Sequence, residues 1–70
     1  MKILVEEKYI ITKVKNEYEI LVEENVENLD SYEKLDLYEK MLYACNVLNK
    51  ASKDYYTIKT TYKEIEKVGD

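Results

Sequence analysis

The chain of 70 residues has no histidine, arginine, proline, tryptophan, phenylalanine or glutamine, and it holds one cysteine and one glycine. Each absence removes a class of chemistry. Without histidine the commonest general base and the commonest metal ligand are missing. Without arginine there is no planar fork for gripping phosphate in two places. A single glycine cannot build a P-loop or a dinucleotide-binding turn. Cys45 has no second cysteine to pair with, which excludes an internal disulfide and fits a reduced, intracellular setting. It also has no histidine to activate it, so it reads as a small core residue rather than a nucleophile. The first apolar run, Ile3 to Val5, stops at Glu6 and Glu7, and the longest, Met41 to Cys45, falls far short of the ~20 residues of a membrane span. The expectation is a soluble, cytoplasmic protein that is not an enzyme and carries no cofactor.

What is present points to a binding protein. Eight tyrosines stand where no phenylalanine does, and rings with a hydroxyl suit surfaces that are half buried and half wet. A domain this short buries only roughly 60% of its unfolded surface, so it often leans on a partner subunit.

The first 24 residues alternate in strand fashion. Ile10, Thr12 and Val14 share one face, and Tyr18, Ile20 and Val22 share a face of the next strand. A connection at Lys15-Asn16-Glu17 sets Val14 against Tyr18, Thr12 against Ile20, Ile10 against Val22, Ile11 against Leu21 and Lys13 against Glu19. Apolar and charge pairs then match together, which predicts a β-hairpin. Residues 2–6 add a third strand through a turn at Glu6-Glu7, giving a hairpin or three-stranded meander over 1–24. Residues 25–29 form the connector. Asp30-Ser31-Tyr32-Glu33 reads as a capping box that opens a helix over 30–52. Within it Leu35, Leu37, Tyr38, Met41, Leu42, Ala44, Cys45, Leu48 and Ala51 fall on one arc, with Asp36, Glu39, Lys40, Asn46 and Lys50 opposite.

An apolar stripe with unbroken 4-3 spacing runs through Leu37, Met41, Ala44, Leu48, Ala51, Tyr55, Ile58, Tyr62 and Ile65. This heptad rhythm lasts about four heptads and carries a second helix over 54–68, closed by Gly69 as its C′ residue. The competing reading makes 55–62 an additional strand, because Tyr55-Tyr56-Thr57-Ile58-Lys59-Thr60-Thr61-Tyr62 is rich in strand formers. The fold class is α+β: an N-terminal hairpin or meander packed on one long or two amphipathic helices. A single continuous helix would be about 57 Å long and would require a partner, which makes a coiled-coil dimer one way to use the stripe.

Charge is unevenly spread. Residues 17–39 hold nine acids (Glu17, Glu19, Glu23, Glu24, Glu27, Asp30, Glu33, Asp36, Glu39) against Lys34 alone, while both flanking segments are mildly basic. Such a region is a solvated face with acids complementing the helix dipole, or a surface that engages the lysines and arginines of a partner that would otherwise meet phosphate. Tyr32, Tyr18 and Tyr38 add contact area beside it. Direct nucleic-acid binding is disfavoured by the acidic balance. The oxygens of Asn25, Glu27, Asn28 and Asp30 lack the spacing of a calcium loop. Two functions are therefore expected. One is a small acidic protein–protein interaction module that occludes a basic surface on a larger partner, as nucleic-acid mimics do. Phage and mobile-element inhibitors, anti-CRISPR proteins included, share this size and charge by analogy and not by motif. The other is a homo-oligomerisation module built on the 37–65 stripe.

Overall fold

The computed structural model describes residues 1–69, in which three strands and one helix follow one another as β1 (Lys2–Lys13), β2 (Ile20–Asn25), α1 (Ser31–Ala51) and β3 (Tyr56–Glu66). The strands form one antiparallel sheet in the order β2-β1-β3, with the helix packed on one face, so the α+β class holds. β1 takes the centre for a reason visible in its composition. Tyr9, Ile10, Ile11 and Thr12 are consecutive and all buried, and only a strand covered on both faces and both edges can accept such a run.

The helix-facing side of β1 supplies Tyr9 and Ile11, which meet Val26, Met41 and Cys45 in a small core, bordered by Val22, Leu29, Leu37, Tyr38, Tyr56 and Ile58. The Tyr9 and Tyr38 rings meet edge to face with centroids 5.4 Å apart, a favourable aromatic geometry. On the same side Glu7 is buried and accepts an ion pair from Lys34 at 2.8 Å, while its backbone carbonyl takes the Val26 N–H at 2.8 Å. That bond anchors the connector, and it buries Val26 completely inside a stretch that otherwise reads as polar.

The helix starts where the capping box places it. The Asp30 carboxylate accepts the Glu33 N–H at 2.8 Å, and the Glu33 carboxylate accepts the Asp30 N–H at 3.3 Å. It ends at Ala51. Ser52 donates its N–H to Leu48 and then uses its hydroxyl to accept the Asp54 N–H, which turns the chain away from the helix axis.

The second helix expected over 54–68 is absent. That segment is β3, paired with β1 from Lys13↔Tyr56 to Lys2↔Glu66, and Gly69 caps no helix. The long free edge of β1 decides this: Ile11↔Ile58, Thr12↔Thr57, Glu6↔Lys63, Ile3↔Ile65 and Lys2↔Glu66 are all favourable cross-strand pairs. The 37–65 stripe is consequently not one seam. Met41 is buried and Leu37, Leu48 and Ile58 are partly buried, whereas Ala44, Ala51, Tyr55, Tyr62 and Ile65 are exposed, and a single helix does not make a coiled coil.

Two further expectations are corrected. Residues 2–6 are not a separate strand, because β1 runs unbroken past Glu6 and Glu7 with only a bulge between Leu4 and Glu6. The hairpin register is right at Thr12↔Ile20 and for the Lys13–Glu19 ion pair, but a second bulge follows, so Ile11 meets Val22 rather than Leu21, and Ile10 meets Glu23 rather than Val22. The extra residue left at Leu21 keeps Val22 pointing into the core.

One side chain closes the turn between α1 and β3. Asn49 accepts the Tyr56 N–H at 2.6 Å and donates to the Tyr56 carbonyl at 3.1 Å, and the Cys45 thiol donates to the same carbonyl. Replacing Asn49 by alanine leaves the Tyr56 N–H without its partner and the Tyr56 carbonyl with the Cys45 thiol alone. The expected loss is about 1–3 kcal/mol, read as a lowered urea midpoint, whereas exposed Lys50→Ala should stay within about 0.5 kcal/mol.

Candidate functional site

The acids singled out in the sequence do not form one continuous face. They divide by what they touch. On the sheet face opposite the helix, Glu23 reaches Lys8 at 2.6 Å and Glu17 binds Lys59 across the sheet. Lys8 also binds Glu6 at 2.7 Å, so these carboxylates are matched by lysines of the same face. Glu19 lies at the end of the sheet, where Lys13 bridges it at 2.8 Å and Asp54 at 3.4 Å. The hairpin half of the expected patch is thus largely neutralised within the chain.

The other half is not. From Glu24 to Glu39 the chain holds six acids, and its only cation, Lys34, is turned inward to Glu7. Glu24 lies on β2 opposite Tyr9, and Glu27 follows in the connector. Asp30 and Glu33 hold each other across the helix start. Asp36 forms an i, i+4 pair with Lys40 at 3.0 Å, both well exposed, which contributes only a few tenths of a kcal/mol. At 100° per residue Glu33 and Asp36 lie toward the helix flank opposite the one that carries Asn49. Glu39 lies on the outer side, as does Tyr32, which is 86% exposed. Among the described residues Glu24, Glu27 and Glu39 form no ion pair.

Two of the oxygen-bearing side chains near the connector are spent on the backbone. Asn25 accepts the Glu27 N–H at 3.0 Å, so its oxygen and that of Asp30 both cap N–H groups. Among the described residues no group of three or more cysteine, aspartate or glutamate side chains is arranged around a cation, and no helix is long and apolar enough to cross a membrane.

The open sheet face carries one shallow pocket of about 180 Å³, lined by Ile10, Thr12, Glu17, Tyr18, Ile20, Lys59 and Thr61. Its size is below the ~300 Å³ at which small-molecule sites begin. Its role is structural. Ile10 and Thr12, buried although they face away from the helix, are among the residues that line the pocket.

Ionisation follows these contacts. The Lys8 ammonium holds the Glu6 carboxyl below its ordinary range, Lys59 does the same for Glu17, and the Glu33 N–H does so for Asp30. Burial pushes the Tyr9 hydroxyl and the Cys45 thiol up, which keeps both neutral. The three depressed carboxyls bind fewer protons folded than unfolded, so the stability they contribute is full above the ordinary carboxylate pKa of about 4 and is lost as pH falls through the folded values. The urea midpoint should therefore hold level from neutral pH to about 5 and decline below it; a midpoint that rises on acidification contradicts the assignment.

Comparison of the chain with protein families, with curated proteins and with solved structures finds no match.

Proposed function

We propose that this protein is an interaction module that binds a basic surface of a larger protein through its acidic connector and the adjoining outer face of α1. The observation that carries this reading is the inward turn of Lys34. The one cation between Glu24 and Glu39 is withdrawn to Glu7, and the six carboxylates from the end of β2 through the connector to the first turns of the helix meet no other cation but Lys40, which pairs with Asp36. Carboxylates at i, i+3 on a helix stand ~5–6 Å apart at Cβ, a spacing that offers successive lysines or arginines separate partners. A surface evolved to bind phosphate presents that kind of basic row, so occlusion of a nucleic-acid-binding groove is the form of inhibition this module is suited to. Tyr32 beside the carboxylates supplies apolar contact area of the type that anchors interfaces. The hairpin acids Glu17, Glu19 and Glu23 are excluded from the contact surface in this reading, because each already has a lysine.

The test separates the two groups of acids. Partners are captured on the immobilised protein at low and at moderate salt, and affinity for the captured protein is then measured for two charge-reversed variants. Glu24→Lys with Glu27→Lys and Glu39→Lys should weaken binding by roughly tenfold or more per charge and flatten its salt dependence. Glu17→Lys with Glu23→Lys should lower stability slightly and leave affinity within about threefold. Equal loss in both variants, or binding indifferent to salt, overturns the proposal.

A further inference from the structure

The molecule presents more surface than its mass requires. Its accessible area is 5596 Å², whereas a compact monomer of 8.4 kDa presents about 4,600 Å². The Cα radius of gyration is 14.6 Å against about 11 Å for a compact chain of this length, and the extents are 54 × 27 × 11 Å. The surplus, about 1,000 Å², matches the ~800 Å² that each partner buries in an interface of standard size.

One edge contributes to that surface, since every residue of β3 from Lys59 to Glu66 is exposed. The Val14 N–H bonds the Tyr55 carbonyl at 2.9 Å, so odd-numbered residues of β3 bond toward β1 and even-numbered ones point outward. Asn49 caps the outward groups of Tyr56. Beyond it the outward N–H and C=O groups of Ile58, Thr60, Tyr62 and Glu64 meet no partner among the described residues. β3 is eleven residues long with no bulge in its own backbone, and an unprotected edge of that length is a pairing template. The helix adds to the same edge. Leu42 and Leu35 lie one and two heptads before Asn49, hence on the same flank of the helix, and they are 44% and 57% exposed. Tyr62, on the helix side of β3, is 64% exposed.

We infer that a second copy of this chain occupies this edge, pairing β3 with β3 antiparallel about a two-fold axis at Thr60. The sequence of the strand is self-complementary in that register. Ile58 meets Tyr62 of the second copy, Thr60 meets Thr60, Lys59 meets Thr61 and Lys63 meets Thr57. Aromatic with β-branched and Thr with Thr are favourable cross-strand pairs, and no like charges are opposed. Moving the centre by one residue sets Lys59 against Lys63 or against itself. The axis stands perpendicular to the sheet, so the product is a six-stranded sheet with both helices on one face and their Leu35 and Leu42 flanks turned toward each other. β2 offers no equivalent, being six residues long and carrying Glu23, Glu24 and Asn25. The inference rests on the β3 edge and not on the acidic connector, although Glu39, on the outer side of the helix, neighbours Leu35 and Leu42 at i+4 and i−3.

Light scattering during size-exclusion chromatography over a concentration series decides it. The expected mass is twice the 8.4 kDa of the chain. Thr60→Pro removes an N–H that β1 does not use, and Leu42→Lys places a charge on an exposed position. Each should give the single-chain mass with the circular dichroism spectrum retained. Thr60→Cys should form a disulfide-linked dimer under mild oxidation, while the native chain, whose Cys45 is buried, should not. The single-chain mass at all concentrations, or a dimer that survives both Thr60→Pro and Leu42→Lys, overturns the inference.

Discussion

The three hydrogen bonds that converge on Tyr56 govern how this chain folds. Asn49 presents an amide to the N–H and C=O of a strand residue, so a side chain takes the place that a neighbouring strand would hold. This ties the last turns of α1 to the first residue of β3 across a turn of four residues, Ser52 to Tyr55. The helix is thereby set over the β1–β3 half of the sheet, and Met41 and Cys45 fall onto Ile11 and Ile58. It also fixes which flank of the helix looks outward over the edge strand and which looks back toward β2. The position of the acidic carboxylates, and of the exposed leucines, follows from that orientation.

The rest of the architecture is a response to scarcity. Six hydrophobic residues are buried among the described residues, and the central strand supplies three of them. A core so small cannot cover both faces of a three-stranded sheet. The face away from the helix carries the ion pairs Glu17–Lys59 and Glu23–Lys8 instead of a second apolar layer. This explains why so many of the carboxylates in the hairpin are paired: they belong to the packing of the sheet. The carboxylates after Glu24 have no such duty, and those that do act locally, Asp30 and Glu33, cap the helix.

What could be read from the sequence was what is settled locally. Asp30 and Glu33 announce the helix start because their reciprocal bonds span three residues, and the Thr12–Ile20 pair and the Lys13–Glu19 bridge follow from a short connection. What could not be read depends on distant partners. Residues 54–68 carry a helical 4-3 spacing, yet pairing with an edge of β1 some fifty residues away in sequence outweighs it. The bulges at Leu4–Glu6 and at Ile11–Thr12 leave no trace in composition, and each displaces every residue beyond it by one. The candidate site was half legible. Its acids were found by counting charge, but their division into paired and unpaired groups rests on lysines from β1 and β3 that only the sheet brings near. Val26 and Asn49 carry no signal in the sequence, one buried in a polar connector and one serving the backbone of a segment whose spacing is helical.

The lone thiol has a practical consequence. Cys45 is 4% exposed and donates to the Tyr56 carbonyl beneath the helix, so a thiol reagent can reach it only when α1 lifts from β3. With no other cysteine in the chain to compete, the rate of labelling becomes a clock for that one opening event. The molecule carries, without any engineered probe, a reporter of how often its helix and sheet part while the remainder stays folded.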